Sequence, residues 1–548
     1  MVKADFSKSR IGIILEGEEV ARLTPASAVN ALVNGEEKKD APEITGFSCE
    51  TTEYGKRYVW SAKSQVWDAL EFVADEYTDR IEYFVRVHGH GAIDSVAYFK
   101  GSDYDFDRGF TPIPTVDGAG QCEFSAQKTF DEFSYLTVPP MFVYVFDTAG
   151  IGSRLSFALA AERGNHLFTK FTYNTELSGW QRVFWLETDQ NGHAKVDGVY
   201  ETPRVLIYSA ASREGALKYY CDYYFKLGIA DIKKTIKMPR FWYGPIACGW
   251  TEQASFATAK GIGYGQPDMA RQELYDNFNA ELERRDLHPT LMIIDDKWQT
   301  SYGDPYVDTS KWPDLRGWID ENRVMRGRHT MLWFKMWDSE GLPDDECMKS
   351  SNKWQIRTAD PTNPKYRERL RKTLHRLLSS DEGCYNADGL KLDFAFFQPT
   401  GREAVSYDGK FGVELFLEYI KTIYTFAKEA KQDAVISASP CHPLFAACVD
   451  HARLHDYHPD LRRAPEEFAF RKALYNFALP WSLVDTDGAG YRTRRDTVRY
   501  LLAAPTLGIP DLYCITDTPC MHITDEDWKA VAAAWREYGK RTDKMFEE

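Results

Sequence analysis

Asp388-Gly-Leu-Lys-Leu-Asp-Phe-Ala-Phe-Phe397 is a short apolar run, broken by one lysine, with Asp393 at its tip. It reads as a buried parallel strand that opens at Asp393 onto a loop. A second run, Asp450-His-Ala-Arg-Leu-His-Asp456, ends the same way at Asp456. Working outward, eight strand candidates follow Tyr243: Gly244 to Gly249, Leu291 to Asp295, Thr330 to Lys335, Gly389 to Asp393, Ala434 to Ser437, Ala452 to Asp456, Trp481 to Asp485 and Leu512 to Thr516. Helical periodicity, with apolar residues three and four apart, separates most of them. It covers Arg271 to Arg285, Tyr366 to Leu378, Val413 to Ala430, Glu466 to Phe477 and Asp525 to Tyr538. Strands alternating with helices over roughly 300 residues predict an α/β fold with a (β/α)8 TIM barrel, whose usual length is about 250 residues plus insertions. In that fold, chemistry sits at the C-terminal ends of the strands.

Before residue 210 the pattern changes. Apolar stretches are short, rich in Val, Tyr, Phe and Thr, and punctuated by Gly, Asp and Asn. Arg80 to Val87, Met141 to Phe146, Arg182 to Glu187 and Arg204 to Tyr208 are examples. They predict an N-terminal antiparallel β-sandwich. Ser212 to Leu227 reads as a helix, followed by a basic connector ending at Pro239. The expected division is therefore 1–225, a β-sandwich with a helical linker, and 240–548, the catalytic barrel. Asp189-Gln-Asn-Gly192 reads as a hairpin turn, since it lacks the spacing and terminal glutamate of a calcium loop.

Composition excludes several function classes. A net charge of −15 with no basic patch is unsuited to a phosphate backbone, so no nucleic-acid partner is expected. No segment is long and apolar enough to span a bilayer, and the N-terminus lacks a signal-peptide core, so no membrane partner and a cytoplasmic location are expected. The ten cysteines form no CxxC pair and lie mostly in apolar contexts, which predicts buried free thiols in a reducing compartment rather than disulfides or a metal site. No metal or organic cofactor is implied. Aromatics make up 14% of the chain, a supply of flat faces that suits sugar stacking as well as core packing.

Two carboxylates at strand ends point to glycoside hydrolysis. Retaining enzymes place a nucleophile and an acid/base roughly 5 to 5.5 Å apart across the scissile bond. Strands four and six are near neighbours around a barrel mouth, so Asp393 and Asp456 would face one cavity. The competing reading of Asp393 is a strand-end aspartate that caps its loop. Lys391 favours the catalytic reading, because it lies two residues away on the same side of the strand and an interior lysine needs an anionic or hydroxyl-rich partner.

Four stretches in order resemble the clan of retaining α-galactosidases, in particular glycoside hydrolase family thirty-six with its raffinose-synthase-like relatives. Ile293-Ile-Asp-Asp-Lys-Trp-Gln299 resembles the strand-two motif, and Asp308 to Leu315 the segment downstream of it. Asp388 to Phe394 resembles the nucleophile motif, and Arg453-Leu-His-Asp-Tyr-His-Pro459 the acid/base motif. The resemblance implies Asp393 as nucleophile and Asp456 as acid/base. It implies that Asp295 and Asp296 bind the 4- and 6-hydroxyls of a galactose-type ring, that Trp298 closes the subsite, and that Lys391 contacts ring hydroxyls. Arg453 would reach the 2-position or orient a carboxylate, and Trp333 and Ser439 join the substrate-binding set. The implied partner is an oligosaccharide or glycoconjugate, with homo-oligomerisation open. Trp298 reads equally well as core, and Asp295 and Asp296 as ion-pair partners of Lys297 or an arginine.

The sequence departs from the family in three places, the first two of which bear on the sugar. Lys297 stands where the family has a small Gly or Cys. Ile436-Ser-Ala-Ser-Pro-Cys441 lacks the usual glycine-rich strand-five pattern, its small residues resembling the N-acetylgalactosaminidase branch, which leaves room for a 2-acetamido group. The sequence also stops before the C-terminal β domain of many relatives. The expected activity is hydrolysis of terminal α-galactosides. The alternatives are α-N-acetylgalactosaminidase, a transglycosidase, another α-hexosidase such as an α-glucosidase, and a non-catalytic carbohydrate binder. Asp460 is an alternative acid to Asp456, His455 and His458 flank that acid, and Asp485, Asp487 and Asp517 read as rim or turn residues.

Overall fold

Gly389–Asp393 is a strand, as its pattern predicts, and it lies at the centre of an eight-stranded parallel sheet. The computed structural model describes residues 1–112, 121–130, 141–233, 238–262, 267–454, 461–488, 493–516 and 522–547. In chain order the parallel strands are β1 (Ile246–Cys248), β2 (Leu291–Ile294), β3 (His329–Lys335), β4 (Gly389–Asp393), β5 (Val435–Ala438), β6 (His451–Arg453), β7 (Leu483–Asp485) and β8 (Asp511–Leu512). Each pairs with its sequence neighbour, and β8 returns to β1. The seam between β7 and β8 is closed by a single bridge, Asp485 to Ile509, so the barrel is nearly closed. All eight sequence candidates correspond to strands. Several are shorter than expected, and β6 ends at Arg453, three residues before Asp456, which lies outside the described residues with His455, His458, Asp460 and Asp517.

Tight local packing fixes β4. Leu390 and Leu392 are buried, each side chain worth about 1.5–3 kcal/mol in burial. Asp388, just before the strand, accepts the amide of Thr330 and bonds Arg323, with Lys431 and His329 close by. Burial alone would raise its carboxyl, but His329, Lys431 and Arg323 outweigh that and hold it down at about 2. Gly389 faces Val435, and a Cβ there would lie 2.4 Å from the Val435 carbonyl oxygen. Because the clash is with backbone, Gly389→Ala is expected to cost about 1–3 kcal/mol by overpacking, seen as a lowered Tm in differential scanning fluorimetry.

Helices cover most connections: Gln272–Arg284, Leu315–Arg326, Pro364–Leu378, Gly412–Ala430, Ala464–Ala478, Arg494–Leu507 and Asp525–Glu547. None of the described helices is long and apolar enough to cross a membrane. The β5–β6 connection carries only a 3-10 turn, Pro443–Phe445. Helix α1 (Arg213–Lys226), capped by Ser212, packs against this turn and against Ala464–Ala478. Tyr220 of α1 bonds His442, and Tyr224 bonds His166, which in turn meets Glu414. The linker helix expected from sequence thus covers a side of the barrel that lacks a helix of its own.

Among the described residues the N-terminal part is a large antiparallel sheet of 16 strands. The antiparallel pairing is as expected, and among the described residues hydrogen bonds join these strands into one continuous sheet. Strand Arg80–Tyr104 runs for 25 residues and pairs with five others, and the 21-residue strand Gln181–Glu201 shifts register between Asp189 and Ala194. Bulges of this kind bend a strand without ending it. Asp189 to Gly192 is therefore a bulge inside a strand, not a hairpin turn, with Asn191 and Gly192 at φ 51° and 81°. The Asp189 carboxylate is occupied by Thr169 and the amide of Lys170. The nine described cysteines are unbridged and six are buried.

Candidate active site

The C-terminal ends of the barrel strands carry one continuous chain of polar contacts. Starting at β1, the Cys248 thiol donates to Asp295 Oδ2 at 3.1 Å, and the same oxygen accepts from Lys391 Nζ at 2.8 Å. Lys391 Nζ lies 3.3 Å from the hydroxyl of Tyr513, which donates to Asp487. Asp487 Oδ2 accepts from Arg453 Nη1 at 2.8 Å, and Arg453 Nη2 donates to Asp393 Oδ1 at 2.9 Å. The other oxygen of Asp393 accepts from the indole of Trp333 at 3.0 Å.

Strand periodicity explains the convergence. Cys248, Lys391 and Asp393, and Arg453 occupy inward positions at the ends of β1, β4 and β6. Lys391 is buried, which works against its ammonium, yet Asp295 and Cys248 outweigh this and the lysine is held well above its ordinary value. Its anionic partner is Asp295 rather than Asp393. Asp393 remains partly open, with its side chain 21% exposed. Phe394, next in the chain, takes φ 61° and donates its amide to Asp393 Oδ1, turning the backbone sharply off the strand.

The implied residues fall into two groups. Asp295, Asp296, Trp333, Lys391, Asp393 and Arg453 belong to this cluster. Trp298 is fully buried, and its indole donates to the Trp333 carbonyl at 2.9 Å, so it supports β3 from the core. Ser439 is buried, and with Asp393, Arg453, Phe416 and Ile420 it lines a packing gap of about 10 Å³ against the helix Gly412–Ala430. Lys297 does not pair with Asp295 or Asp296. At φ 71° it turns outward, its ammonium 4.2 Å from the Tyr302 ring centre and 3.9 Å from Glu340. The positive φ gives a backbone reason for the small residue of the resembling motif.

Asp485 and Asp487 are not rim residues. Both are fully buried, Asp487 between Arg453 and Tyr513, Asp485 below it. Burial pushes the carboxyls of Asp485 and Asp511 up, and each acidic neighbour adds to the shift. Sequence reasoning missed Cys248, Tyr513 and Tyr302. For the first two, period-two alternation from a strand end was a usable signal; Tyr302 lies in a loop that carries none. A cavity of about 550 Å³ lined by Phe241, Pro245 and Trp535 opens at the opposite end of the barrel, where barrels carry stability rather than chemistry.

No family model and no curated protein matches this sequence. Solved structures do. The cycloalternan-degrading enzyme from Trueperella pyogenes, in complex with a covalent intermediate, is 12% identical with a TM-score of 0.54, covering 98% of this chain and 83% of that one. The GH36 alpha-galactosidase AgaA from Geobacillus stearothermophilus, in complex with raffinose, is 11% identical with a TM-score of 0.55 over 94% and 75%. The cycloalternan-forming enzyme from Listeria monocytogenes, in complex with a pentasaccharide substrate, is 11% identical with a TM-score of 0.56 over 99% and 59%. At such identities the likeness establishes the fold: a parallel barrel with a large antiparallel sheet, as in these carbohydrate-active proteins.

Proposed function

We propose that this chain is a retaining α-glycosidase that hydrolyses terminal α-galactosides by double displacement, with Asp393 as nucleophile and Asp456 as acid/base. The observation that carries this reading is the setting of Asp393. It stands at the end of β4, partly exposed, with one oxygen held by Trp333 and the other by Arg453. A carboxylate so fixed presents a set orientation to an anomeric carbon. In the first step Asp393 forms a bond to that carbon as the bond to the leaving oxygen breaks and Asp456 gives that oxygen a proton. In the second, Asp456 takes a proton from water as the water oxygen displaces Asp393. The covalent intermediate of the Trueperella enzyme supports this route by analogy of fold.

The barrel unit is taken as 240–548 and the N-terminal unit as 1–225, with α1 belonging to both in contact. Cycloalternan-acting neighbours aligned over nearly the whole chain favour a second reading, hydrolysis or transfer on another α-hexoside.

The test is initial rates on aryl α-galactoside, α-N-acetylgalactosaminide and α-glucoside, with NMR of the first-formed anomer. Intact mass after incubation with a slow-turnover fluorinated glycosyl fluoride completes it. The expected result is galactoside turnover with retained configuration and an adduct on the Asp393 peptide. A dominant glucoside rate favours the second reading, and silence on all three overturns both.

A further inference from the structure

We propose that Tyr302 is a positioning residue of the sugar site, holding Asp296 through its phenol so that the carboxylate meets the sugar in one orientation. This rests on the reading above, in which Asp296 contacts the glycone. Tyr302 lies six residues beyond Asp296, on the loop after β2, and its hydroxyl donates to Asp296 Oδ1 at 2.9 Å. Among the described residues no other side chain bonds the Asp296 carboxylate, which leaves its second oxygen as an acceptor for a sugar hydroxyl. The Tyr302 ring meets Trp333 edge-on at 5.7 Å, and Trp333 in turn bonds Asp393. One side chain therefore separates the phenol from the proposed nucleophile.

The tyrosine is built into place. Lys297 and Lys335 each set an ammonium 4.2 Å from its ring centre. Its amide donates to Glu340 Oε2, and the next amide, Gly303, donates to the Glu340 carbonyl. A Cβ at Gly303 would fall 2.6 Å from that carbonyl oxygen, so glycine lets this loop dock onto the one after β3. With Trp298 confined to the core, Tyr302 supplies the aromatic wall beside Asp296.

The charged and titratable groups facing Asp296 are Asp295 on its own segment, Tyr302, Lys335 from β3 and Asp393 from β4. Burial pushes the Asp296 carboxyl up to about 6. The Tyr302 hydrogen bond and Lys335 act against that rise, while Asp295 and Asp393 add to it. Removing the phenol therefore moves Asp296 further up, and the charged acceptor is lost at a higher pH.

For Tyr302→Phe, the acid limb of kcat/KM is expected to shift to higher pH. KM should rise about fivefold near pH 6, because losing one hydrogen bond of about 1.4 kcal/mol moves the carboxyl up by about one pH unit and leaves roughly a tenth of it ionised there instead of about half, and it should recover toward pH 8 with kcat changed little. Asp296→Asn should abolish that limb, and Tyr302→Phe should then move nothing further. The proposal is overturned if the pH profiles of active wild type and Tyr302→Phe superimpose. It is overturned equally if kcat and KM change in parallel at every pH with a lowered Tm, the signature of a purely structural role. No turnover by wild type overturns the glycosidase reading itself, a result separable from either.

Discussion

Asp393→Asn is expected to lower kcat on the preferred aryl α-glycoside by about four orders of magnitude, or roughly 5 kcal/mol at 1.36 kcal/mol per tenfold. The amide is too weak a nucleophile to form the glycosyl ester, and no other side chain of the cluster is offered in its place. Lys391 is engaged with Asp295, and Asp487 is fully buried behind Arg453. The fold should survive. The side chain is partly exposed, the asparagine carbonyl still accepts the Trp333 indole, and Arg453 keeps its contact with Asp487. Steady-state rates with a thermal melt check both halves, and azide should restore turnover in Asp393→Gly by filling the vacated position. A variant that keeps more than a tenth of wild-type kcat would remove Asp393 from the nucleophile's role.

Lys391→Met should bring the largest loss of stability, about 3–5 kcal/mol, because it leaves a buried carboxylate without its cation. Lys391 and Asp295 side chains are each only 3% exposed and meet at 2.8 Å. Asp295 would retain the Cys248 thiol and the Asp296 amide, both weak compensation for a lost ammonium. The double variant Lys391→Met with Asp295→Asn should recover much of the loss, since a neutral amide tolerates burial better than an unpaired charge. Denaturant midpoints of the four proteins form the cycle. Equal destabilisation in the single and double variants would show that packing of the lysine stem, not the charge pair, sets the cost.

The barrel was legible because its signal is local. Runs such as Leu390 and Leu392 around an inward lysine, and amphipathic repeats such as Gly412–Ala430, carry their period in a few residues. Asp393 was legible for the same reason, at the end of a strand whose limits follow from its own pattern. The N-terminal part was read as an antiparallel β-sandwich with a hairpin turn at Asp189, whereas the bulge there keeps the strand Gln181–Glu201 unbroken where turn-forming residues suggest an end. Tyr302 was not legible at all, since its role depends on Gly303 docking against Glu340 from another loop.

By itself, then, the sequence determined the alternation of elements, the inward register of each barrel strand and the presence of acids at their ends. These follow from backbone periods of 2 and 3.6 residues acting over short windows. Only the tertiary structure decided the partnerships: Lys391 with Asp295 rather than Asp393, Arg453 shared between Asp393 and Asp487, Trp298 in the core and Tyr302 against Asp296. Each such choice is made between side chains on different strands or loops, where burial and the need to neutralise every enclosed charge select among acids that look alike in the sequence.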